Sequence, residues 1–281
     1  MQRVFVASHN GPVASVRNLI QYINEESEGL LVRTTYRDSD TRERVTSEDI
    51  LLNYGWSSTR KLFAYISGGT DRIINHPDTV NISSNKRRFY MLASACGLPI
   101  IDTTFTPEEA FSWLQEGSRV FARQKLRGSK GNGIVILSPE CIGSVPSMLD
   151  TALAPMYTRE FVDGDEYRLF VVAGEVVDFA KKKKLSTGKL TERGIQINRD
   201  IKTTDNGWIF GKRNVTLPEG ALAVAQQVTD SLGLDFMALD LIHNRGNGDL
   251  RIMEVNSAPG LRSPTTLASI GKALGQHILS L

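Results

Sequence analysis

The sequence predicts a mixed α/β fold, in which an α/β part is followed by an α+β part. The first observation is a strand–turn–helix pattern near the N-terminus, where the run RVFVA precedes apolar residues at helical spacing between Val13 and Ile23. The second is a succession of short apolar runs joined by glycine-containing turns beyond residue 119, which is typical of antiparallel strands. The third is the length of 281 residues, which favours several units over one minimal fold.

Residues 1–83 are predicted to form a small N-terminal α/β domain. Apolar runs at residues 3–7, 30–32 and 50–52 predict three strands, and the pattern at residues 62–66 predicts a further helix. The alternation of strands and helices indicates an α/β unit.

Residues 84–158 are predicted to form a second unit that begins with a helix. Asn85 is a suitable cap for that helix, and a second helix is predicted from Thr106 to Leu114 because a proline and two acidic residues follow the threonine. Strands at residues 120–126 and 134–137 then flank the run RGSKGNG, which predicts a glycine-rich hairpin.

Residues 159–281 are predicted to form a third unit, rich in strands. Strands are expected at 157–162, 166–172, 176–180, 236–243 and 250–256, with helices at 221–232 and after Pro264. Residues 185–214 show little periodicity and predict a long loop over a site, in which residues 208–210 (WIF) act as an anchor.

Composition excludes several classes of protein. A net charge of +2 provides no global field that recruits nucleic acid or an anionic membrane. Two cysteines and four scattered histidines fit neither a disulfide framework nor a zinc site, and they favour a reducing, cytoplasmic compartment. The N-terminus lacks the features of a signal peptide, and no stretch approaches the roughly 20 apolar residues of a membrane span.

The last predicted hairpin carries a candidate metal site. Period-two alternation puts Glu254 and Asn256 of the run MEVN on one face, and pairing about Asn247 sets Asp240 directly opposite Glu254. Facing carboxylates repel unless a cation lies between them, and two carboxylates with an amide oxygen are ligands that Mg²⁺ prefers. The alternative is a solvated hairpin whose acidic side chains face water.

The run RGSKGNG is a candidate phosphate-binding turn. Its glycines let backbone N–H groups approach phosphates, while Arg123, Lys125 and Lys130 supply positive charge. It is not a Walker loop, because the Gly-Lys-Ser/Thr ending is missing and strands flank it. The alternative is a mobile surface turn.

Two neighbouring strands carry further charged residues. The lysines of residues 181–184 continue an apolar strand, so alternate members point to opposite faces and at most two enter a pocket. A solvated face or a nucleic-acid patch is the alternative for this run. Glu166 and Arg168 share one strand face, where a salt bridge is the simpler explanation.

Taken in order, these segments resemble ATP-grasp ligases. The runs that carry the resemblance are ISSNKRRFYMLASACGLPI, VFARQKLRGSKGNGIVIL, YTREFVDGDEYRLFVVAGEVVDFAKKKK, DNGWIF and LDFMALDLIHNRGNGDLRIMEVNSAPGL. From about residue 84 onward the chain looks most like the ribosomal-protein glutamate ligase-like (RimK-type) branch and its phage-encoded relatives. The resemblance implies an ATP-grasp fold in which the N-terminal domain precedes two subdomains that sandwich the nucleotide, 84–158 with a glycine-rich lid and 159–281 with the metal site.

The resemblance also implies roles for individual residues. Asp240, Glu254 and Asn256 would bind two magnesium ions, with Mn²⁺ as an alternative, that bridge the phosphates of ATP. Arg168 and Lys182 would be catalytic, facing the γ-phosphate and the carboxylate to be activated. The remaining ATP contacts would be Lys86, Arg123 or Lys125, Ser129, Gly131 and Asn198 at the phosphates, the backbone of Glu160 and Phe161 at adenine, and Glu166 at the ribose.

The implied activity is ATP- and magnesium-dependent ligation of a carboxylate to an amine through an acylphosphate, which forms an amide or peptide bond. Small molecules, peptides and protein tails all remain open as substrates, as does an oligomer; nucleic acid and membrane partners are not expected. The second substrate is expected between the runs NYGWSS and SAPGLRSPTT, where Arg262 is a candidate for holding an acidic group.

Two alternatives to the ligase remain open. One is a non-catalytic nucleotide-binding module with a regulatory or assembly role, and the other is a nucleic-acid binder that uses the lysine run. The expected location is the cytoplasm of a bacterium or of a phage-infected host.

Overall fold

The structure is a computed structural model, and it describes residues 2–9, 14–34, 44–66, 68–127, 131–144 and 154–281. These residues form three β-sheets of four, four and five strands, together with helices that pack on them. The predicted mixed α/β fold is confirmed. Within the described ranges, no helix is long and apolar enough to cross a membrane.

The N-terminal sheet is parallel, with strand order β2-β1-β3-β4. Its strands are β1 (Gln2–Ser8), β2 (Leu30–Thr34), β3 (Ile50–Tyr54) and β4 (Ile73–Ile74), and its helices are α1 (Ala14–Glu26), α2 (Thr59–Ile66) and α3 (Pro77–Ser83). From β1 the chain continues to β2 at one edge of the sheet, and from β3 it continues to β4 at the other edge. The topological switch point, where open α/β sheets bind ligands, therefore lies between β1 and β3.

The middle sheet is antiparallel, with strand order β5-β8-β6-β7. It contains β5 (Thr103–Thr104), β6 (Val120–Arg123), β7 (Ile134–Leu137) and β8 (Met156–Arg159), with α4 (Lys86–Ala95), α5 (Pro107–Gln115) and a 3₁₀ turn at Pro139–Ser144. The Asn85 side chain caps α4 by accepting a hydrogen bond of 3.2 Å from the Arg88 N–H, as the sequence predicts.

The large sheet is antiparallel, with strand order β11-β10-β9-β12-β13. It contains β9 (Gly164–Val172), β10 (Glu175–Lys184), β11 (Trp208–Gly211), β12 (Phe236–Asn244) and β13 (Leu250–Asn256). The helices of this part are α6 (Thr187–Glu192), α7 (Ala221–Leu232) and α8 (Pro264–Ser280).

The two faces of the large sheet have different environments. Leu169, Val171 and Leu239 on one face form a core with α4 and α7. On the other face, Phe170 and Phe236 pack with α8 and the N-terminal sheet at one end. Further along the same strands this second face becomes polar, and the candidate site lies there.

The segment 185–214 is not the long loop that the sequence predicts. It contains α6, a 3₁₀ turn at Thr204–Asn206 and the edge strand β11, in which Phe210 pairs with Lys182. A four-residue strand is too short to show a period, and its backbone hydrogen bonds come from β10, which is distant in sequence. The sequence pattern likewise does not predict the seven-residue helix α3.

The N-terminal unit packs closely against α8. A Cβ on Gly271 would lie 2.8 Å from the Cβ of Tyr22, and one on Gly275 would overlap the Ser27 side chain, so both glycines permit close approach of α8 to α1. One sheet falls in each predicted segment, but the helices α4 and α8 pack across segments. The boundaries at residues 83 and 158 stay predictions.

Candidate functional site

The centre of the site is an ion pair between neighbouring strands of the large sheet. Arg168 on β9 lies directly opposite Asp240 on β12 and donates two hydrogen bonds to its carboxylate, each of 2.7 Å. Burial disfavours the charge of Arg168, but the adjacent Asp240 outweighs burial and raises the pKa of the guanidinium above its ordinary value. The Arg168 guanidinium is therefore charged at neutral pH.

The C-terminal hairpin has the predicted pairing at the candidate metal ligands, and its pairing nearer the turn is shifted by one residue from the prediction. Asp240 pairs with Glu254 and Ala238 pairs with Asn256, so the three oxygen-bearing side chains share one face; a bulge follows Asp240. Lys86, at the start of α4, reaches the Glu254 carboxylate at 3.2 Å. Within the described ranges there is no cluster of three or more His, Cys, Asp or Glu suited to a metal, so the candidate metal ligands are two carboxylates and one amide.

Of the lysine run, Lys182 faces the site. Its Nζ lies 2.5 Å from the Glu166 carboxylate, which Lys202 also approaches to 3.4 Å. Lys181 points to the opposite face, where it contacts Asp165 at 2.6 Å. The alternation expected along a strand is thus present in the run.

Arg123 reaches the site from the middle sheet. It lies on β6, and its Nε is buried without a hydrogen-bond partner among the residues that the structure describes. Lys125, the other candidate, is exposed. Nearby Tyr90 donates a hydrogen bond of 2.8 Å to the Met253 carbonyl, and burial raises its pKa. The geometry favours Arg123 over Lys125 as the inward-facing cation.

The glycine-rich turn meets the segment that precedes β11. Gly131 has a φ of 72°, and a Cβ there would overlap the Cγ2 atom of Ile201. The described end of the turn at Gly131 is therefore in close contact with this segment. Ser129, a predicted phosphate contact, lies outside the described residues.

The predicted adenine-binding segment follows β8. The backbone N–H of Glu160 donates a hydrogen bond of 2.9 Å to the Arg119 carbonyl, so this N–H is already engaged within the protein. The Phe161 side chain is partly buried against the core of the large sheet. Arg119 also contacts Glu160 at 3.6 Å and Asp200 at 2.7 Å, which ties this segment to the one before β11.

Asn198 has a local role in the structure. Its side-chain oxygen accepts hydrogen bonds from the N–H groups of Asp200 and Ile201, at 2.8 and 3.0 Å, and its carbonyl accepts one from the Trp208 indole. These contacts stabilise a turn, and Asn198 is exposed. The geometry favours a structural role over the predicted contact with phosphate.

A cleft of about 350 Å³ opens beside Asn256. It lies at the switch point of the N-terminal sheet, and both predicted substrate-binding runs contribute to it. Its lining consists of Ser8, His9, Ser15, Tyr54, Gly55, Val80, Ser84 and residues 256–260. None of these described lining residues is Asp, Glu, Lys or Arg; Arg262 is exposed and is not part of the lining.

The sequence reasoning missed three residues of the site. Phe210, expected only as a loop anchor, lies beneath the side chains of Arg168 and Lys182. Lys202 and Arg119 connect the segment before β11 to the rest of the site. Only the charge of Lys202 and Arg119 could have indicated a role from the sequence, because their partners Glu166 and Asp200 are 36 and 81 residues away along the chain.

The site fits ATP with a divalent cation. The unpartnered, buried Nε of Arg123 provides a donor for a phosphate oxygen. Asp240, Glu254 and Asn256 offer hard oxygen ligands on one face, and Lys86 lies beside them.

Comparison with solved structures identifies the fold. The ATP-grasp ligase PsnB, complexed with minimal precursor, Mg and ADP, matches with a TM-score of 0.67 and 14% identity over 99% of this chain and 96% of that chain. A RiPP-associated ATP-grasp ligase of Chryseobacterium gregarium, in complex with ADP and a leader and core peptide, matches with a TM-score of 0.64 and 15% identity over 100% and 97%. The chain has the ATP-grasp fold.

Comparison with curated proteins agrees. The chain is similar to a probable alpha-L-glutamate ligase of Halorhodospira halophila, with 28% identity over 200 residues that cover 69% of this chain and 61% of the relative. The chain thus spans about 61% of the length of the curated relative that it matches. No protein-family model matches the sequence. The resemblance to ATP-grasp glutamate ligases is confirmed.

Proposed function

We propose that this protein is an ATP- and magnesium-dependent carboxylate–amine ligase. The observation that carries the proposal is the shared sheet face on which Asp240, Glu254 and Asn256 lie beside Arg168 and Lys86. Such a set supplies oxygen ligands for a divalent cation and, within a few ångströms, positive groups for a triphosphate.

The proposed reaction has two steps. An oxygen of the carboxylate attacks the γ-phosphorus of ATP, the bond to the β–γ bridging oxygen breaks, and ADP leaves an acylphosphate behind. The amine nitrogen of the second substrate then attacks the carbonyl carbon, inorganic phosphate leaves, and loss of a proton from nitrogen gives the amide. Bound magnesium would neutralise charge that develops on the phosphate oxygens.

The residues of the chain have distinct parts in this reaction. Arg168 and Lys182 would contact the γ-phosphate and the entering carboxylate, where fixed positive charge stabilises the transition state. Lys86 and Arg123 would hold the phosphates. Glu166 would accept hydrogen bonds from the ribose, and its oxygens would then be shared between the ribose and Lys182.

Further ATP contacts complete the proposal. The backbone beside Phe161 would meet adenine, and the glycine-rich turn would cover the phosphates and exclude water from the acylphosphate. Two magnesium ions are expected between Asp240, Glu254 and Asn256, and Mn²⁺ is expected to replace them. The cytoplasm is the expected location.

The cleft beside Asn256 is the proposed site of the substrate body. Its described lining offers serine hydroxyls and contains no Asp, Glu, Lys or Arg, so these residues can bind a substrate by hydrogen bonds and not by ion pairs with such side chains. The structurally similar ligase PsnB has been solved with a precursor peptide, and the Chryseobacterium ligase with a leader and core peptide. An uncharged stretch of peptide therefore suits this cleft better than a free acidic side chain.

The decisive experiment measures ADP release with panels of peptides and amines. Asp240→Asn and Glu254→Gln are each expected to reduce turnover at least a hundredfold, while Asp230→Asn, an exposed aspartate on α7, leaves it unchanged. Full turnover in both site variants contradicts the metal assignment. ATP binding by calorimetry with no ADP release for any acid and amine pair instead supports the non-catalytic nucleotide-binding alternative.

A further inference from the structure

Phe210 lies between the two proposed catalytic cations. The guanidinium carbon of Arg168 is 4.4 Å from the centre of the Phe210 ring, and the Nζ of Lys182 is 5.0 Å from it. The ring is held on edge strand β11, where Phe210 pairs with Lys182 in register. Both cations are within the distance at which an aromatic face attracts a positive charge.

We propose that Phe210 is a positioning residue that keeps Arg168 and Lys182 in place when their carboxylate partners are engaged by the nucleotide and metal. The proposal rests on the proposed ligase function. Phe210 has no polar side-chain atom, so its effect on the chemical step would be exerted through the two cations that it contacts.

The argument begins with the ion pairs. In this structure Arg168 is held by Asp240 and Lys182 by Glu166, at 2.7 and 2.5 Å. The proposed function uses those same carboxylates as a metal ligand and as a ribose contact. Each carboxylate that turns to the nucleotide or metal weakens its hold on the cation beside it.

The contact with Phe210 is not subject to this competition. The ring binds neither a metal nor a phosphate, so the attraction between ring and cation persists when Asp240 and Glu166 change partners. Two flexible, charged side chains that contact the same rigid ring keep a narrower range of conformations than two side chains without such a contact. The ring is half-buried, which keeps its contacts with both cations partly shielded from water.

A neighbouring residue follows the same pattern. Trp208 lies two residues before Phe210 on β11, hence on the same face, and the Nζ of Lys202 lies 5.5 Å from its ring. Strand β11 therefore places two aromatic faces beneath cations that border the site.

The test compares leucine and tyrosine at position 210. Phe210→Leu keeps an apolar side chain without the aromatic face, and we expect kcat to fall about tenfold with KM for ATP within about twofold. Phe210→Tyr keeps the face and is expected to retain kcat within about twofold. The matched control is Phe105→Leu, since Arg87 lies 5.2 Å from that ring, outside the site; its kcat should not change.

Two outcomes would overturn the proposal. In one, Phe210→Leu retains the wild-type kcat; in the other, it raises KM for ATP at unchanged kcat, which is the result expected if the ring only contacts the nucleotide. All variants are compared below their melting temperatures, and Phe210→Met replaces the leucine variant if the latter is unfolded at the assay temperature.

A measurement without turnover separates this proposal from the proposed function. In the unliganded protein, the ring current of Phe210 should shift the NMR resonances of the Arg168 side chain upfield, and Phe210→Leu should abolish that shift. If the wild-type protein shows no ligase activity, the proposed function fails. If the upfield shift is absent from the wild-type spectrum, the placement of Phe210 against Arg168 is wrong whatever the activity.

Discussion

Asn75 binds both backbone polar groups of Phe236. Its side-chain oxygen accepts a hydrogen bond from the Phe236 N–H at 3.0 Å, and its side-chain nitrogen donates one to the Phe236 carbonyl at 2.6 Å. Asn75 is fully buried at the end of β4, with a φ of 60° that asparagine tolerates better than most residues. A side chain of the N-terminal unit thus completes the backbone hydrogen bonding at the first residue of β12.

We expect Asn75→Ala to lower the free energy of unfolding by about 2–4 kcal/mol, because two buried backbone groups lose their partners. Urea denaturation measures this loss. Asn24→Ala is the matched control, since Asn24 makes the same pair of hydrogen bonds with Val32 inside the N-terminal unit. Asn24→Ala should lower the free energy of unfolding by less, because Asn24 is exposed, and it should leave ligase turnover unchanged. Wild-type stability in Asn75→Ala would contradict the importance of this contact.

Under the proposed function, Arg168 and a divalent cation would compete for Asp240. Arg168→Met removes the bidentate partner of the carboxylate, so we expect Mn²⁺ to bind about tenfold more tightly in the absence of nucleotide, while ligase turnover falls. Electron paramagnetic resonance of free Mn²⁺ measures the affinity. Lys181→Met is the control, because Lys181 is paired with Asp165 on the opposite sheet face. Unchanged Mn²⁺ affinity in Arg168→Met would show that Asp240 does not bind the metal.

The glycine-rich turn depends on a side-chain-free position. Gly131→Ala combines the strain of a positive φ, about 1 kcal/mol or more, with a clash against Ile201, and we expect turnover to fall because the turn is displaced. Gly97→Ala has a similar φ of 68° in open space and therefore measures the conformational cost alone. Ile201→Ala should partly restore turnover to Gly131→Ala. No rescue would mean that the clash is not what displaces the turn.

The cleft at the switch point is expected to bind the substrate body and not ATP. Ser15→Tyr fills part of this cleft, so we expect KM for the peptide substrate to rise at least tenfold while KM for ATP stays constant. Gln21→Tyr places the same side chain on an exposed part of α1 as a control. Steady-state kinetics with each substrate varied in turn make the comparison. A rise in KM for ATP alone would place the nucleotide in this cleft.

The shared face of the candidate metal ligands was predictable because strand alternation is local information. Strand alternation puts Glu254 and Asn256 on one face. The pairing of Asp240 with Glu254 also depends on the bulge after Asp240, because the pairs nearer the turn are shifted by one residue from the predicted register, and no local pattern indicates that bulge. The helix that begins at Lys86 was also predictable from local information, since its cap is the adjacent Asn85.

Other features depend on contacts that no local pattern reveals. Asn75 meets Phe236 across 161 residues, and nothing near either residue in the sequence indicates the pairing. Strand β11 exists because β10 supplies its hydrogen bonds, so Phe210 could be expected as an apolar anchor but not beneath two cations. The cleft contains residues of both runs expected to bind the second substrate, but its place at the switch point could be assigned only from the strand order.

The packing of α8 has a consequence for chimaeric proteins. This helix is the last element in the chain, yet its apolar residues share a core with β1, β3 and α1. A graft that exchanged only the first 83 residues for those of another ATP-grasp protein would pair a foreign surface with the native α8, and Gly271 and Gly275 would no longer face the side chains they accommodate. An exchange would therefore have to replace the opening segment and the closing helix together, although they are far apart in the sequence, and keep the contacts of both with β9 and β12.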